Sequence, residues 1–283
     1  MPLALTPGGT EIAFTATGTG PPDLVFLHGL FGSAAYFRES CDAVDLDHAR
    51  AIAVDLSGHG DSPPAECEWS LDEIDDAVLA ASDTVGARRI VAIGFSAGAK
   101  FALHLAVTHP DRVAALVLVA GTPAGPIPLP AELIEDWKSR VGDASAIRDL
   151  VTPYLTGPVD KAAFGRFAEN AARVPLSALE GTLRATLDTD FQGSLSSIDV
   201  PTLVVGGTLD TLFTAELLRE ALVEPIACAR LALIDCGHEI PLERPHQFAA
   251  VIEAFLAGLH EDGHGGVQLS RSEEAQVPVA PRS

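Results

Sequence analysis

Apolar residues along the chain fall into short continuous runs separated by longer amphipathic stretches. Asp23–Leu27, Ala49–Leu56, Ile90–Ile93, Val113–Ala120, Pro201–Gly206 and Ala229–Ile234 are rich in Val, Ile, Leu and Ala and border on Gly, Pro or polar turns. Runs of this length without alternation suit strands buried on both faces, as in a parallel sheet. The stretches between them, Ala34–Leu46, Leu71–Val85, Phe101–His109, Thr214–Leu222 and Pro245–Leu259, read as helices. Ser70 followed by Glu73 marks the start of one as a capping box. Residues 3–17 alternate around Pro7-Gly8-Gly9, which predicts a hairpin. Strand and helix in alternation predict an α/β fold: a mostly parallel central sheet flanked by helices.

The rhythm changes after Gly121. Pro123, Pro126, Pro128 and Pro130 mark a loop, and helical patches follow at Ala131–Val141, Ser145–Tyr154, Asp160–Arg173 and Leu176–Leu187 with no strand signal. Residues 123–196 therefore read as an α-helical cap inserted between two sheet strands, too long for an ordinary loop. The core is then 1–122 with 197–259. The tail, 260–283, is polar, contains Gly and Pro and shows no periodicity, so disorder is expected there. His260 and His264 in that tail are read as solvated residues, not metal ligands.

Composition narrows the partners. The chain has 283 residues, 47% of them apolar, and a formal net charge of −21. Such an acidic protein is expected to bind neither nucleic acid nor anionic membrane surfaces. Cys41, Cys67, Cys228 and Cys236 show neither C-x-x-C nor zinc spacing, and read as free thiols in a reducing cytoplasm. The opening MPLALTPGGTEIAF lacks a basic region and a long apolar run, so no signal peptide is expected. No stretch reaches the roughly 20 apolar residues of a membrane helix.

Chemistry concentrates in Ile90–Lys100, IVAIGFSAGAK. A strand running into G-x-S-x-G and then into a helix puts Ser96 at the tip of a sharp turn. Gly94 and Gly98 leave room where the backbone bends, and the helix aims its N-terminal N–H groups at the same spot. A serine hydroxyl at neutral pH is a poor nucleophile and needs a base oriented by an acid. Lys100, one turn into the helix, is expected to point away from the site into a salt bridge or solvent. Ligands of parallel sheets bind beyond the carboxyl ends of the strands. His28–Ser33, Ser57–Ser62, Gly94–Gly98 and Thr208–Thr211 all fall at that edge, and His238 follows the last strand.

These segments, HGLFGS, DLSGHGDS, GFSAG, VVGGTLD and CGHEIPLERP, stand in the order found in the α/β-hydrolase fold family. The chain resembles that family over about residues 3–258, with the helical insertion in the position of its cap. The resemblance implies Ser96 as nucleophile, Asp210 as acid and His238 as general base, with the backbone N–H groups of Leu30 and Ala97 as an oxyanion hole. Asp190, Asp199 and Asp235 are the competing carboxylates. His28 and His59 are expected to tie loops together, Asp61 and Ser62 to hold their turn, and Glu243 to start the last helix. Phe31, Phe95, Trp137, Leu212 and Ile240 are expected to line an apolar substrate pocket, and Tyr154 is the one tyrosine of the cap.

A serine nucleophile argues against aspartate-dependent members of the family, because no alkyl-enzyme ester forms at serine. The expected activity is hydrolysis of a small-to-medium, mostly apolar carboxylic ester through an acyl-enzyme, with a small-molecule substrate and no metal or organic cofactor. Lactone hydrolysis, cleavage of a carbon–carbon bond beside a ketone, cofactor-free perhydrolase or oxygenase chemistry and a ligand-binding receptor role stay open at this point.

Overall fold

A computed structural model describes residues 1–44, 48–65, 69–261 and 267–269. Eight strands form one sheet: β1 (Leu3–Leu5), β2 (Glu11–Gly18), β3 (Asp23–Leu27), β4 (Arg50–Val54), β5 (Ile90–Phe95), β6 (Val113–Val119), β7 (Thr202–Gly207) and β8 (Ala229–Ile234). Their order is β1-β2-β4-β3-β5-β6-β7-β8. The β1–β2 hairpin and the β2–β4 pair are antiparallel, and every later pairing is parallel. The carboxyl ends of β3 to β8 therefore share one edge, which is where the motif-bearing loops emerge.

The apolar runs build a core on each face of the sheet. Val25 and Leu27 of β3 join the core beneath helices α2 (Leu71–Thr84) and α3 (Ala97–Thr108), with Ile74, Phe101 and Leu105. Leu24 and Phe26 face the other way, toward Phe248 and Ile252 of the last helix. Each such fully buried side chain contributes about 1.5–3 kcal/mol relative to exposure. Ser70 accepts from the Glu73 amide while the Glu73 carboxylate accepts from the Ser70 amide, so the capping box forms as read.

Between β6 and β7 the described chain is helical: α4 (Ala131–Ser139), α5 (Ala144–Val151), α6 (Lys161–Ala172) and α7 (Leu176–Leu187), with short 3-10 turns. Asp143 and Asp160 accept hydrogen bonds from the first amides of α5 and α6, and Pro130 and Pro175 precede α4 and α7. Ile147, Phe167, Leu179 and Leu183 of this insertion belong to the same core as Phe248. The insertion is therefore packed into the molecule and does not sit on it as a separate body.

Some elements depart from the pattern. The helix expected at 34–46 is a 3-10 turn (Ala34–Phe37) and a short α1 (Arg38–Ala43). The stretch 214–222 holds one turn of α8 (Ala215–Leu218) and then a π-helical turn. The helix expected at 245–259 forms as α10 (Pro245–Ala257), but an unexpected turn, α9 (Ile240–Glu243), precedes it and stops there because Pro245 has no N–H to continue it. The tail expected to be disordered from His260 begins instead with an antiparallel pair, β9 (Leu259–Glu261) against β10 (Val267–Leu269). A ladder this short is held by backbone groups and needs no apolar periodicity. His264, residues 270–283 and Cys67 lie outside the described residues.

Candidate active site

Ser96 links β5 to α3 with φ 53° and ψ −116°, a left-handed backbone unusual for a residue with a side chain. Backbone contacts hold it there. Its N–H donates to the Val119 carbonyl at 2.9 Å, and its carbonyl accepts from the amides of Ala99 (3.0 Å) and Thr122 (3.1 Å). A Cβ at Gly94 would collide with the Gly98 carbonyl, and one at Gly98 with the Leu27 carbonyl. Both motif glycines are thus required by close backbone approach. A Cβ at Gly29 would lie 3.0 Å from the Ser96 Cβ, so the HGLFGS loop packs directly against the serine. Leu30 and Ala97 border the same cavity as Ser96. Ala97 opens α3, where the first N–H groups have no partner within the helix.

Asp210 follows β7 and is buried. Its Oδ1 accepts from the amides of Leu212 (2.8 Å) and Phe213 (3.1 Å), and its Oδ2 from His238 Nδ1 at 2.9 Å. That bond commits Nδ1 as donor and leaves Nε2 as the acceptor of the imidazole. Of the competing carboxylates, Asp235 accepts from the Thr208 hydroxyl at 3.0 Å and Asp190 from the Gln192 amide at 3.2 Å. His238 lies beside the elbow, its ring 5.2 Å from that of Phe95. Burial works against its cationic form. The Asp210 hydrogen bond and the charges of Glu239, Asp210 and Glu243 outweigh burial and raise its pKa above the ordinary 6.5.

Two buried glutamates, Glu239 and Glu243, and their hydrogen-bond partners fix the histidine loop. Glu243 does not simply open a helix: its Oε1 accepts from the Gly237 amide at 3.0 Å. Its Oε2 accepts from the Thr156 amide (2.8 Å), the Thr156 hydroxyl (3.0 Å) and the Gly157 amide (3.0 Å). The His238 amide donates to the Tyr154 carbonyl at 3.1 Å. The Tyr36 hydroxyl donates to Glu239 at 2.6 Å, and burial raises the pKa of that carboxyl against the favourable charge of His238. Apart from Gly237 and Glu243, six residues apart, none of these partners is close in sequence, and no motif spacing announces them.

His28 and His59 act as ties. His28 Nε2 accepts from the Leu56 amide at 3.1 Å and Nδ1 donates to the Gly29 carbonyl at 2.9 Å; His59 Nδ1 donates to the Ser57 carbonyl at 3.0 Å. Burial pulls their pKa values down to about 3 and about 4, so both rings are neutral at pH 7. Ser62 donates to the Asp55 carbonyl at 2.6 Å and accepts from the Ala13 amide at 2.8 Å, which secures its turn. Among the described residues one group, Asp72, Asp75 and His104, brings three metal-ligand atoms within 4.8 Å of one another. It sits on α2 and α3, away from the carboxyl edge, and Asp75 there accepts from His104 (2.8 Å) and Thr108 (2.7 Å).

A cavity of about 370 Å³ opens above Ser96. Of the residues named for a pocket, Trp137 and Leu212 line this cavity and Phe31, Phe95 and Ile240 do not. Those three pack in the core on the α10 face, where Phe95 stacks on Tyr36 at 4.9 Å and Ile240 is fully buried. An apolar side chain carries the same sequence signal in a core and in a pocket. Their place is taken by the proline loop, Pro123, Pro126, Ile127 and Pro128, together with Tyr154 and Phe213. Tyr154 and Phe213 also face His238, with ring centroids 6.5 and 5.6 Å away. Among the described residues, no Asp, Glu, Lys, Arg or His lines the cavity. Lys100 corrects a further expectation. It is fully buried, and its ammonium binds main-chain carbonyls instead of a carboxylate or water.

A family model described as the alpha/beta hydrolase fold matches residues 22–189, and the chain belongs to that family. It is an enzyme of the hydrolase type. A 2-hydroxy-6-oxononadienedioate/2-hydroxy-6-oxononatrienedioate hydrolase of Burkholderia vietnamiensis is 31% identical over 88% of this chain and 92% of its own length. A pimeloyl-[acyl-carrier protein] methyl ester esterase of Vibrio atlanticus is 30% identical over 72% of this chain and 82% of its own. Among solved structures, the enol-lactonase from Burkholderia xenovorans superposes with a TM-score of 0.79 at 24% identity, over 90% of this chain and all of that one. These last figures speak for the fold. Among the described residues no helix is long and apolar enough to cross a membrane.

Proposed function

We propose that the protein is a serine hydrolase that cleaves small-to-medium, mostly apolar carboxylic esters through Ser96, His238 and Asp210. The observation that carries this is the buried His238–Asp210 pair at 2.9 Å beside an uncharged cavity that Ser96 borders. Ser96 Oγ attacks the ester carbonyl and its proton passes to His238 Nε2; Asp210 stabilises the imidazolium. The N–H groups of Leu30 and Ala97 meet the oxyanion, each contributing roughly 3 kcal/mol to the barrier reduction. Collapse expels the alcohol, which takes the proton from His238 and leaves an acyl-enzyme on Ser96. Water, deprotonated by His238, repeats the sequence and releases the acid. In this reading residues 123–196 form a cap whose proline loop and α4 shape the pocket over the 1–122 and 197–259 core.

The lining, uncharged among the described residues, favours an ester over a dioate of the kind in the Burkholderia vietnamiensis relative's name, because a carboxylate buried there would meet no cation among them. Fluorophosphonate labelling of wild type beside Ser96→Ala, with nitrophenyl ester turnover, tests the proposal. Expected is labelling and turnover in wild type and neither in the variant. A folded wild type that is not labelled, or a Ser96→Ala variant with wild-type turnover, refutes it.

A further inference from the structure

Lys100 is the one lysine among the fully buried large side chains, and the chemistry above makes no use of it. Its Nζ donates to the carbonyls of Gly125 (2.9 Å), Thr186 (2.7 Å) and Thr189 (2.8 Å), and lies 6.0 Å from the centre of the Phe191 ring. Gly125 belongs to the connection that enters the helical insertion. Thr186 and Thr189 belong to the end of α7 and the connection that leaves it. The two connections also bind each other, through Ile127 N–H to the Leu187 carbonyl (2.9 Å) and Phe191 N–H to the Ala124 carbonyl (3.1 Å). Pro123, Pro126, Thr186 and Leu187, which flank the lysine's partners, all wall the cavity above Ser96.

Three carbonyl oxygens converging on one point repel each other unless a cation sits between them. The end of a helix, where Thr186 lies, is also where a positive charge is favoured. Burial pulls the Lys100 pKa down to about 8, opposed by the charges of Asp190 and Asp188, so the group is mostly charged at pH 7. The His104 ring also lies against Phe191, 5.3 Å away. Burying an ammonium is expensive, and an apolar side chain of this size would fill the space without that cost. What the ammonium adds is a fixed spacing between two backbone segments.

We propose that Lys100 is a specificity-determining positioning residue, pinning both connections of the helical insertion to the elbow helix and so setting the width of the pocket above Ser96. The specificity half of this inference rests on the ester-hydrolase reading; the pinning half does not. Two readouts on Lys100→Met therefore separate them. The first is amide hydrogen exchange at Ile127 and Phe191, with the β6 amides as internal control. The variant should exchange at least about tenfold faster at those two sites while β6 stays protected. The second is kinetics on nitrophenyl esters from acetate to octanoate. The ratio of kcat/KM between the best and worst chain lengths should fall by at least about fivefold, through KM and not kcat. Lys100→Gln, which keeps N–H donors without the charge, should lie between wild type and Lys100→Met, and it decides by the same readouts if Lys100→Met does not fold. Unchanged exchange at Ile127 and Phe191, or loosening spread equally over β6, overturns the pin. Faster exchange with an unchanged chain-length profile overturns the specificity role. A wild type without ester turnover refutes the hydrolase reading, and exchange alone then decides the pin.

Discussion

Replacing Glu243 by Gln changes one oxygen to an amide nitrogen, and the surroundings make that change costly. The carboxylate is buried and accepts four hydrogen bonds without donating any: one from Gly237 through Oε1, and three from Thr156 and Gly157 through Oε2. Glutamine has one acceptor oxygen. Its best placement keeps that oxygen on the three donors and turns its NH₂ toward the Gly237 N–H, donor against donor. The lost charge-assisted bond is worth about 1.5–3 kcal/mol. The remaining three bonds weaken as the charge disappears, and the lower desolvation of a neutral amide offsets that. A net loss of about 2 kcal/mol should lower Tm by roughly 3–4 °C for a chain of this size. The broken contact is at Gly237, next to His238, so the imidazole should shift. A displacement of about 1 Å at a reacting group costs up to about a hundredfold in rate. Thermal unfolding by circular dichroism and steady-state kinetics on a nitrophenyl ester measure both. A Tm within about 1 °C of wild type together with kcat within about twofold would show that the carboxylate neither braces the loop nor places the histidine.

The raised pKa of His238 carries a sign that kinetics can check. The imidazole must be neutral to act as base, so kcat/KM should climb with pH through a midpoint above 6.5, and Asp210→Asn should move that midpoint down while lowering the plateau. For stability the same shift works in the opposite sense: the contribution of His238 is full below pH 6.5 and fades as pH rises through the folded-state value. An acid limb at the same pH in Asp210→Asn would contradict the assignment. Two glycines should respond oppositely to alanine. At Gly98 the new Cβ meets the carbonyls of Leu27 and His28, neither of which can rotate away, so Gly98→Ala should yield no soluble protein or an inactive one. At Gly165, within α6, a Cβ meets nothing within 4 Å, so Gly165→Ala should stabilise the fold by about 0.5–1 kcal/mol, read as a higher Tm.

The sheet and the elbow were legible because their causes are local. A continuous apolar run reads the same whatever strand lies beside it, and two glycines around a serine encode a turn within five residues. Asp210 and His238 were named by the resemblance to the α/β-hydrolase family, and the structure brings them within 2.9 Å of each other. What sequence did not disclose depends on partners far along the chain. The donors to Glu243 lie 86 and 87 residues away, apart from the Gly237 amide, and two of them are main-chain groups that any residue could supply. Lys100 likewise binds carbonyls, which leave no trace in a side-chain pattern, so solvent or a carboxylate was the natural expectation. Ile240 and Phe31 failed as pocket residues because hydrophobicity marks burial without saying against what. The proline loop was read only as punctuation, although its position after β6 puts it at the sheet edge where ligands gather.

The hydrogen bond between Phe191 and Ala124 has an evolutionary meaning. Entrance and exit of the helical insertion lie side by side, so its two chain connections to the sheet share a single seam. A segment of different length or helix number can be exchanged across that seam without stretching any strand. Pocket shape would travel with the donor and the elbow would stay with the host. Besides filling the shared core, the incoming chain must bring a pair of amides to where Thr156 and Gly157 now stand, or Glu243 is left buried and without partners on that side. Chimeras that lack those amides should therefore fail even where their helices match closely.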